Sequence, residues 1–227
     1  MSAPALQAQP LAYDVGACTE RGLRAYQEDA AGHELGAVSV FAVADGVGGH
    51  SNGDMASRAA VDQVLTVAQG EGPATEVMAR STVAQADMAV FNTLGATTLA
   101  MLLVSGSRVV VAHVGDSRVY RYRAGVLEQL TQDHRIGRHT LNRALGSVSP
   151  ACPPEPDTRA LDTKPGDVWL LATDGVCDTL NQDALVDVLS QPMESAPRMA
   201  ERLVRRALVE GSEDNCTALV VRVRGAA

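Results

Sequence analysis

The stretch that most restricts what this chain can fold into is Val40 to Asp54, VFAVADGVGGHSNGD. Val40 to Ala44 are apolar, partly β-branched or aromatic, and suit a buried strand. The run stops at Asp45-Gly46, and Gly48, Gly49, Ser51 and Asn52 follow before a helix expected from about Asp54. An acid at the tip of a buried strand, beside glycines that admit close backbone approach, suits a metal or phosphate site. A strand-to-helix turn with a capping acid explains one such motif equally well. The pattern recurs, however. VWLLATDGV (168–176) ends in Asp-Gly-Val, VVVAHVGDSR (109–118) ends in Gly-Asp-Ser, and Glu213-Asp214-Asn215 directly precedes CTALVVRV. Four acidic junctions at the ends of four predicted strands imply carboxylates converging on one edge of a sheet.

The 227 residues are enough for one large domain with its own core. We expect residues 1–10 to be a loose lead-in and 11–227 to form a single domain. Apolar residues make up 46% and charged residues 20%, the balance of a globular chain. Nineteen basic against 27 acidic side chains leave a net charge of −8, which argues against non-specific nucleic-acid binding. Cys18, Cys152, Cys177 and Cys216 are scattered without a Cys-x-x-Cys pair, so free thiols in a reducing cytoplasm are expected rather than structural zinc. No basic-then-apolar leader is visible, and no apolar run nears the ~20 residues that span a bilayer. A cytoplasmic monomer without membrane attachment is the expectation.

Along the chain, strands are expected at 11–19, 38–44, 96–104, 108–114, 118–123, 126–130, 167–173 and 216–223. Helices are expected at 54–69, from Pro73 to about Leu94, at 181–190 and at 194–209. Residues 21–29 read as a polar loop, 131–147 as a basic stretch ending in a helical turn, and 150–158 as an irregular proline-rich connection. Hairpin connections imply mostly antiparallel pairing, and clustered helices imply outer layers. The fold class is therefore α+β: two stacked antiparallel sheets with a helical layer outside each.

Carboxylates, a backbone carbonyl and water are hard ligands that suit Mg²⁺ or Mn²⁺. Two such ions ~3.5–4 Å apart can share a carboxylate and an acidified water, and a phosphate ester is the natural electrophile. A guanidinium would hold the phosphate as a fork, and Arg24, shortly before Glu28 and Asp29, is suitably placed.

The segments RAYQED, VADGVGGH, GATTLAMLLV, HVGDSRVYRYRAG, LTQDH, LNRALGS, LLATDGV and EDNCTALVV occur in the order seen in the metal-dependent protein phosphatases of the 2C type. The chain resembles that family from about Asp14 to Val223, in a glycine-rich bacterial form. The resemblance implies a four-layer α-β-β-α sandwich and a phosphoserine/phosphothreonine phosphatase that opposes a Ser/Thr kinase. By position it implies that Asp45 bridges both metals, that Gly46 lends its carbonyl to one, and that Asp174 and Asp214 bind the other. Glu28 and Asp29 match the early acidic pair, Arg24 the phosphate-binding arginine, and Asp116 a ligand of a third, weaker ion. Asn215 and Ser117 are expected to shape turns.

Two departures stand out. Val47 occupies a position where eukaryotic members often carry a catalytic histidine, and His50 reads as a surface-loop residue. Only Arg135 to Thr140 separate Asp133-His134 from Leu141, so the family's mobile flap is very short or absent, which puts the second ligand of the third ion in doubt. His113 and Trp169 are expected in the core, and His134, His139, Arg205 and Arg206 in solvent. The alternative function is a catalytically inactive relative that binds phosphoproteins. The presence of Asp45, Asp174 and Asp214 argues against it.

Overall fold

A computed structural model describes residues 11–47, 52–137, 140–146 and 154–225. The expectations for 1–10, His50, His139 and Cys152 lie outside these residues. Within them, one antiparallel sheet is built from β1 (Leu11–Glu20), β6 (Arg118–Arg123), β7 (Val126–Gln129), β9 (Val168–Ala172) and β10 (Cys216–Gly225), in the order β1-β10-β9-β6-β7. The second is built from β2 (Asp29–Glu34), β3 (Ser39–Asp45), β4 (Leu99–Ser105), β5 (Arg108–Val114) and β8 (Asp157–Asp162), in the order β2-β3-β4-β5-β8. Helices α1 (Gly53–Leu65) and α2 (Glu76–Phe91) cover the second sheet. The short α3 (Asp174–Cys177), α4 (Gln182–Leu189) and α5 (Ala196–Val209) cover the first.

Period-two alternation explains why the central strands are apolar on both sides. On β3, Val40, Ala42 and Ala44 face the helices, while Phe41 and Val43 face the other sheet. On β10, Ala218 and Val220 face α5, while Leu219, Val221 and Val223 enter the inter-sheet core with Trp169 and Leu171. Three cores thus separate four layers, the expected α-β-β-α sandwich. Each large side chain buried there, such as Phe41 or Trp169, contributes about 1.5–3 kcal/mol.

The helix ends follow their side chains. Thr75 Oγ1 accepts from the Met78 amide (3.1 Å), so α2 begins after Thr75 rather than at Pro73. Asn181 Oδ1 caps α4 through the Ala184 amide. The expected helix over 54–69 is an α-helix to Leu65 followed by a 3₁₀ turn, Thr66–Gln69. Arg206 is half-exposed and paired with Glu210 and Asp187 rather than simply solvated, although exposed pairs of this kind contribute little. No helix among the described residues is long and apolar enough to cross a membrane.

Three elements were not legible beforehand. Strand β2 emerges from the end of the expected polar loop, β8 from the proline-rich connection, and α3 from the Asp174 junction. Both strands are sheet edges with one partner each, and β8 is mostly exposed and charged, so neither carries an apolar run. No helical turn forms over 140–146. Instead Leu145 is buried and bridges Thr97, with amide-to-carbonyl bonds in both directions (2.8 and 3.2 Å).

Candidate active site

The acidic junctions meet at one end of the sandwich, but not on one sheet edge. Asp45 and Asp116 follow β3 and β5 of the second sheet; Asp174 and Asp214 flank β9 and β10 of the first. Stacking the two sheets closes the set. A cleft of about 220 Å³ is lined by Arg24, Glu28, Asp45, Asp116, Asp174 and Asp214, with Gly46 at its wall.

Asp45 has the most firmly held backbone. Its carbonyl accepts from the Thr98 amide and the Thr97 hydroxyl, both at 2.8 Å, and its amide donates to Thr98 Oγ1 at 2.9 Å. Thr98 Oγ1 is in turn bonded to Ser117 Oγ at 2.7 Å. Ser117 therefore links the β3 tip to the Asp116 turn, a wider role than shaping that turn alone. Gly46 donates its amide to the Glu28 carbonyl (3.0 Å). A Cβ at Gly46 would lie 2.4 Å from the Gly53 carbonyl oxygen, so only glycine allows α1 to start this close.

Asn215 ties the arginine loop to the first sheet. Its Oδ1 accepts from the Glu28 amide (2.8 Å), and its Nδ2 donates to the carbonyls of Arg21 (2.8 Å) and Tyr26 (3.0 Å). Held in this way, half-exposed Arg24 reaches Asp214 Oδ2 at 2.5 Å. Glu28 faces the cleft, whereas Asp29 lies beneath it, in register with Asp45 across β2–β3. Asp29 Oδ2 accepts from Thr173 Oγ1 at 2.8 Å. Asp29 Oδ1 and Asp174 Oδ1 are both buried and lack a hydrogen-bond partner.

So many acids in a desolvated space resist ionisation. Burial first, then Asp29, Asp174, Asp214 and Asp116, hold the Asp45 carboxyl far above its usual range. Asp174 is raised by burial and by Asp214, and Glu28 by burial and by Asp54. Burial also raises Asp29, against the hydrogen bonds from Thr217 and Thr173. Asp116 is pushed up to about 6 by burial and Asp174, with Arg135 pulling the other way. Two orphaned buried oxygens inside a group of mutually repelling carboxylates are what a divalent cation would satisfy, and the donors are hard oxygens throughout.

A family model described as protein phosphatase 2C matches residues 21–210. The chain belongs to this family. It is 31% identical to the serine/threonine phosphatase stp of Listeria monocytogenes, over 89% of this chain and 93% of that protein. It is 29% identical to the serine/threonine protein phosphatase PstP of Mycobacterium tuberculosis over 90% of this chain, yet spans only 44% of that longer protein. Among solved structures, the PstP catalytic domain with two manganese ions superposes with a TM-score of 0.83 at 28% identity, covering 94% of this chain and 99% of that one. PppA, described as a regulatory component of the type VI secretion system of Pseudomonas aeruginosa, superposes at 0.81 with 31% identity, covering 93% of this chain and 97% of that one.

Arg135 bridges Leu141, and the Ile136 amide donates to the Thr140 carbonyl at 2.7 Å, so the described part of the segment closes as a tight loop. His134 is buried, contrary to the expectation of solvation. Its amide donates to the Gly115 carbonyl (2.9 Å) and its Nδ1 accepts from the Gly115 amide (3.2 Å), which clamps the residue before Asp116. With Nδ1 accepting, Nε2 carries the ring proton and faces Asp157 Oδ2 at 3.3 Å. His113, His134 and Asp157 bring potential ligand atoms within 4.8 Å of one another. However, the Nε2 lone pair is absent, and the Arg143 guanidinium already sits on Asp157 at 2.8 Å. The set braces the Asp116 turn.

Proposed function

We propose that this chain is a divalent-cation-dependent phosphatase acting on phosphoserine and phosphothreonine in proteins, opposing a bacterial Ser/Thr kinase. The observation that carries the reading is the pair of partnerless buried oxygens, Asp174 Oδ1 in the wall of the cleft and Asp29 Oδ1 beneath it, beside the other acids that line it, Asp45, Asp116, Asp214 and Glu28. Asp45, Asp174, Asp214, Glu28, Asp29 and the Gly46 carbonyl would hold two Mn²⁺ or Mg²⁺ ions. Asp45, at the tip of β3, suits the shared position, and the Gly46 carbonyl would serve one ion. When bound, such ions supply an acidified water and neutralise charge on phosphoryl oxygens.

The protein's own part is binding and orientation. Arg24 is half-exposed at the rim and would exchange Asp214 for the substrate phosphate, which it can grip with two parallel N–H bonds. Asn215 keeps that loop and Glu28 in place before substrate arrives. Val47 supplies no proton to the leaving alkoxide. Only Arg135 to Thr140 separate His134 from Leu141, too few residues for a long covering flap, which suits phosphorylated protein segments better than a small enclosed ligand. A cytoplasmic monomer belongs to the same proposal; the free thiols Cys18, Cys177 and Cys216 support a reducing compartment.

The test is hydrolysis of a phosphothreonine peptide by the purified chain with Mn²⁺, with and without chelator. Turnover should require the metal, and Asp174→Asn should abolish it while leaving the far-UV circular dichroism and cooperative melting intact. The same variant should lose most of the Mn²⁺-induced rise in melting temperature, a readout independent of turnover. A rate that is flat with and without chelator supports the inactive binding module instead.

A further inference from the structure

The short loop after His134 brings a second guanidinium to the acidic cleft. The Arg135 side chain is 17% exposed. Its Nη1 lies 2.5 Å from Asp178 Oδ2 and 3.6 Å from Asp116 Oδ2. Its Nη2 lies 2.9 Å from Asp133 Oδ2 and 3.0 Å from Asp178 Oδ1. Arg118 buttresses the arrangement from below. Its Nε and Nη2 donate to both oxygens of Asp133 (2.8 and 2.7 Å), Nη2 also reaches Asp178 Oδ1 (2.6 Å), and Nη1 donates to the Cys177 carbonyl (2.7 Å). Asp133 and Asp178, the carboxylates that could join Asp116 from this side, are each held by two arginines.

The geometry points to Arg135 as the resident cation of Asp116, in place of the third divalent ion that the family resemblance implies. This inference rests on the two-ion reading above. A small divalent ion needs several oxygen ligands in near-octahedral order, and here Asp116 offers one carboxylate with its neighbours already committed. Any ion placed there would also face a guanidinium held at ion-pair distance by Asp178 and Asp133. The backbone that carries the guanidinium is pinned by the Arg135–Leu141 bridge and the Ile136–Thr140 hydrogen bond. The compact loop therefore does more than omit a ligand: it supplies a fixed positive charge where the ligand would have been useful. Because the charge is covalently attached, it does not depend on metal concentration.

The inference predicts a stoichiometry. Bound Mn²⁺ is counted on the full chain by equilibrium dialysis, with free ion read by electron paramagnetic resonance, up to millimolar Mn²⁺. The native chain and Asp116→Asn should each hold two ions. Arg135→Gln should hold three, and Arg135→Gln combined with Asp116→Asn should return to two. Two ions in Arg135→Gln overturns the inference. So does a native count of three that falls to two in Asp116→Asn, a comparison that decides the matter even if Arg135→Gln fails to fold by thermal melting. No bound ion in any variant would remove the two-ion reading of the function as well, so the two failures are distinguishable.

Discussion

Asn215→Ala tests whether a single buried amide assembles the substrate side of the cleft. The side chain makes hydrogen bonds to the Glu28 amide and to the carbonyls of Arg21 and Tyr26, and the residue is 4% exposed. Each such bond contributes a net ~1 kcal/mol, and a donor left buried costs about 1–3 kcal/mol. Arg21 and Tyr26 are exposed, so their carbonyls can recover water; the Glu28 amide is less free to do so. The expected loss is therefore about 2–4 kcal/mol. In a domain of this size that lowers Tm by roughly 4–16 °C, at about 2–4 °C per kcal/mol. Differential scanning calorimetry in chelator measures the loss without interference from metal binding. The functional consequence is separate. Released from Asn215, the loop no longer presents Arg24 and Glu28 together, so KM for a phosphothreonine peptide should rise about tenfold, the order expected for losing one charge-assisted hydrogen bond. Arg24→Ala should then add little to Asn215→Ala, because both remove the same contact. Asn215→Asp should be worse than Asn215→Ala, since it sets a carboxylate oxygen against two carbonyls. A Tm within 1–2 °C of native, together with independent KM effects of the two substitutions, would refute the tether.

Arg24→Ala alone should raise KM for phosphopeptides more than it lowers kcat, read from steady-state kinetics. Gly175→Ala should weaken Mn²⁺ binding measured by calorimetry, because a Cβ there would lie 2.0 Å from the Asn215 carbonyl oxygen and must push the Asp174 turn away from Asp214. Asp167 gives a prediction far from the cleft. Its buried carboxylate takes both a fork from Arg123 (2.6 Å each) and bonds from Thr163 and the Lys164 amide, and these hold its pKa below the usual carboxylate range despite burial. A depressed native pKa stabilises the fold above the unfolded value near ~3.9, and the contribution is lost as pH falls through the native value. Urea melts should show Asp167→Asn about 2–4 kcal/mol less stable than native at pH 7, with the gap narrowing below about pH 4. A gap that is constant from pH 7 to pH 3 would rule out the ionised carboxylate as its source.

Legibility in the sequence followed the number of partners an element has. Strands buried on both faces, such as β3, β4 and β10, carry continuous apolar runs and were evident. Edge strands β2 and β8 have a single neighbour and read as loop, because cross-strand hydrogen bonding rather than side-chain burial holds them. The acids of the site were visible as residues that interrupt or end apolar runs. Their hydroxyl and amide supports were less so: Thr97, Thr98 and Thr173 sit in strand-like runs, where β-branched residues need no special explanation. The burial of His134 was hidden because its neighbours Asp133 and Arg135 suggest a solvated loop, yet they neutralise one another in an ion-pair cluster.

The sequence by itself determined the layers, since strands that are continuously apolar must be covered on both faces, and it determined which carboxylates are available for chemistry. It could not say that these carboxylates come from the ends of two different sheets, because that depends on which strands pair and how the sheets stack. Nor could it say that Arg135 lies against Asp116. That contact joins the segment after His134 to the β5–β6 turn, and only the tertiary arrangement decides which cation an acid meets.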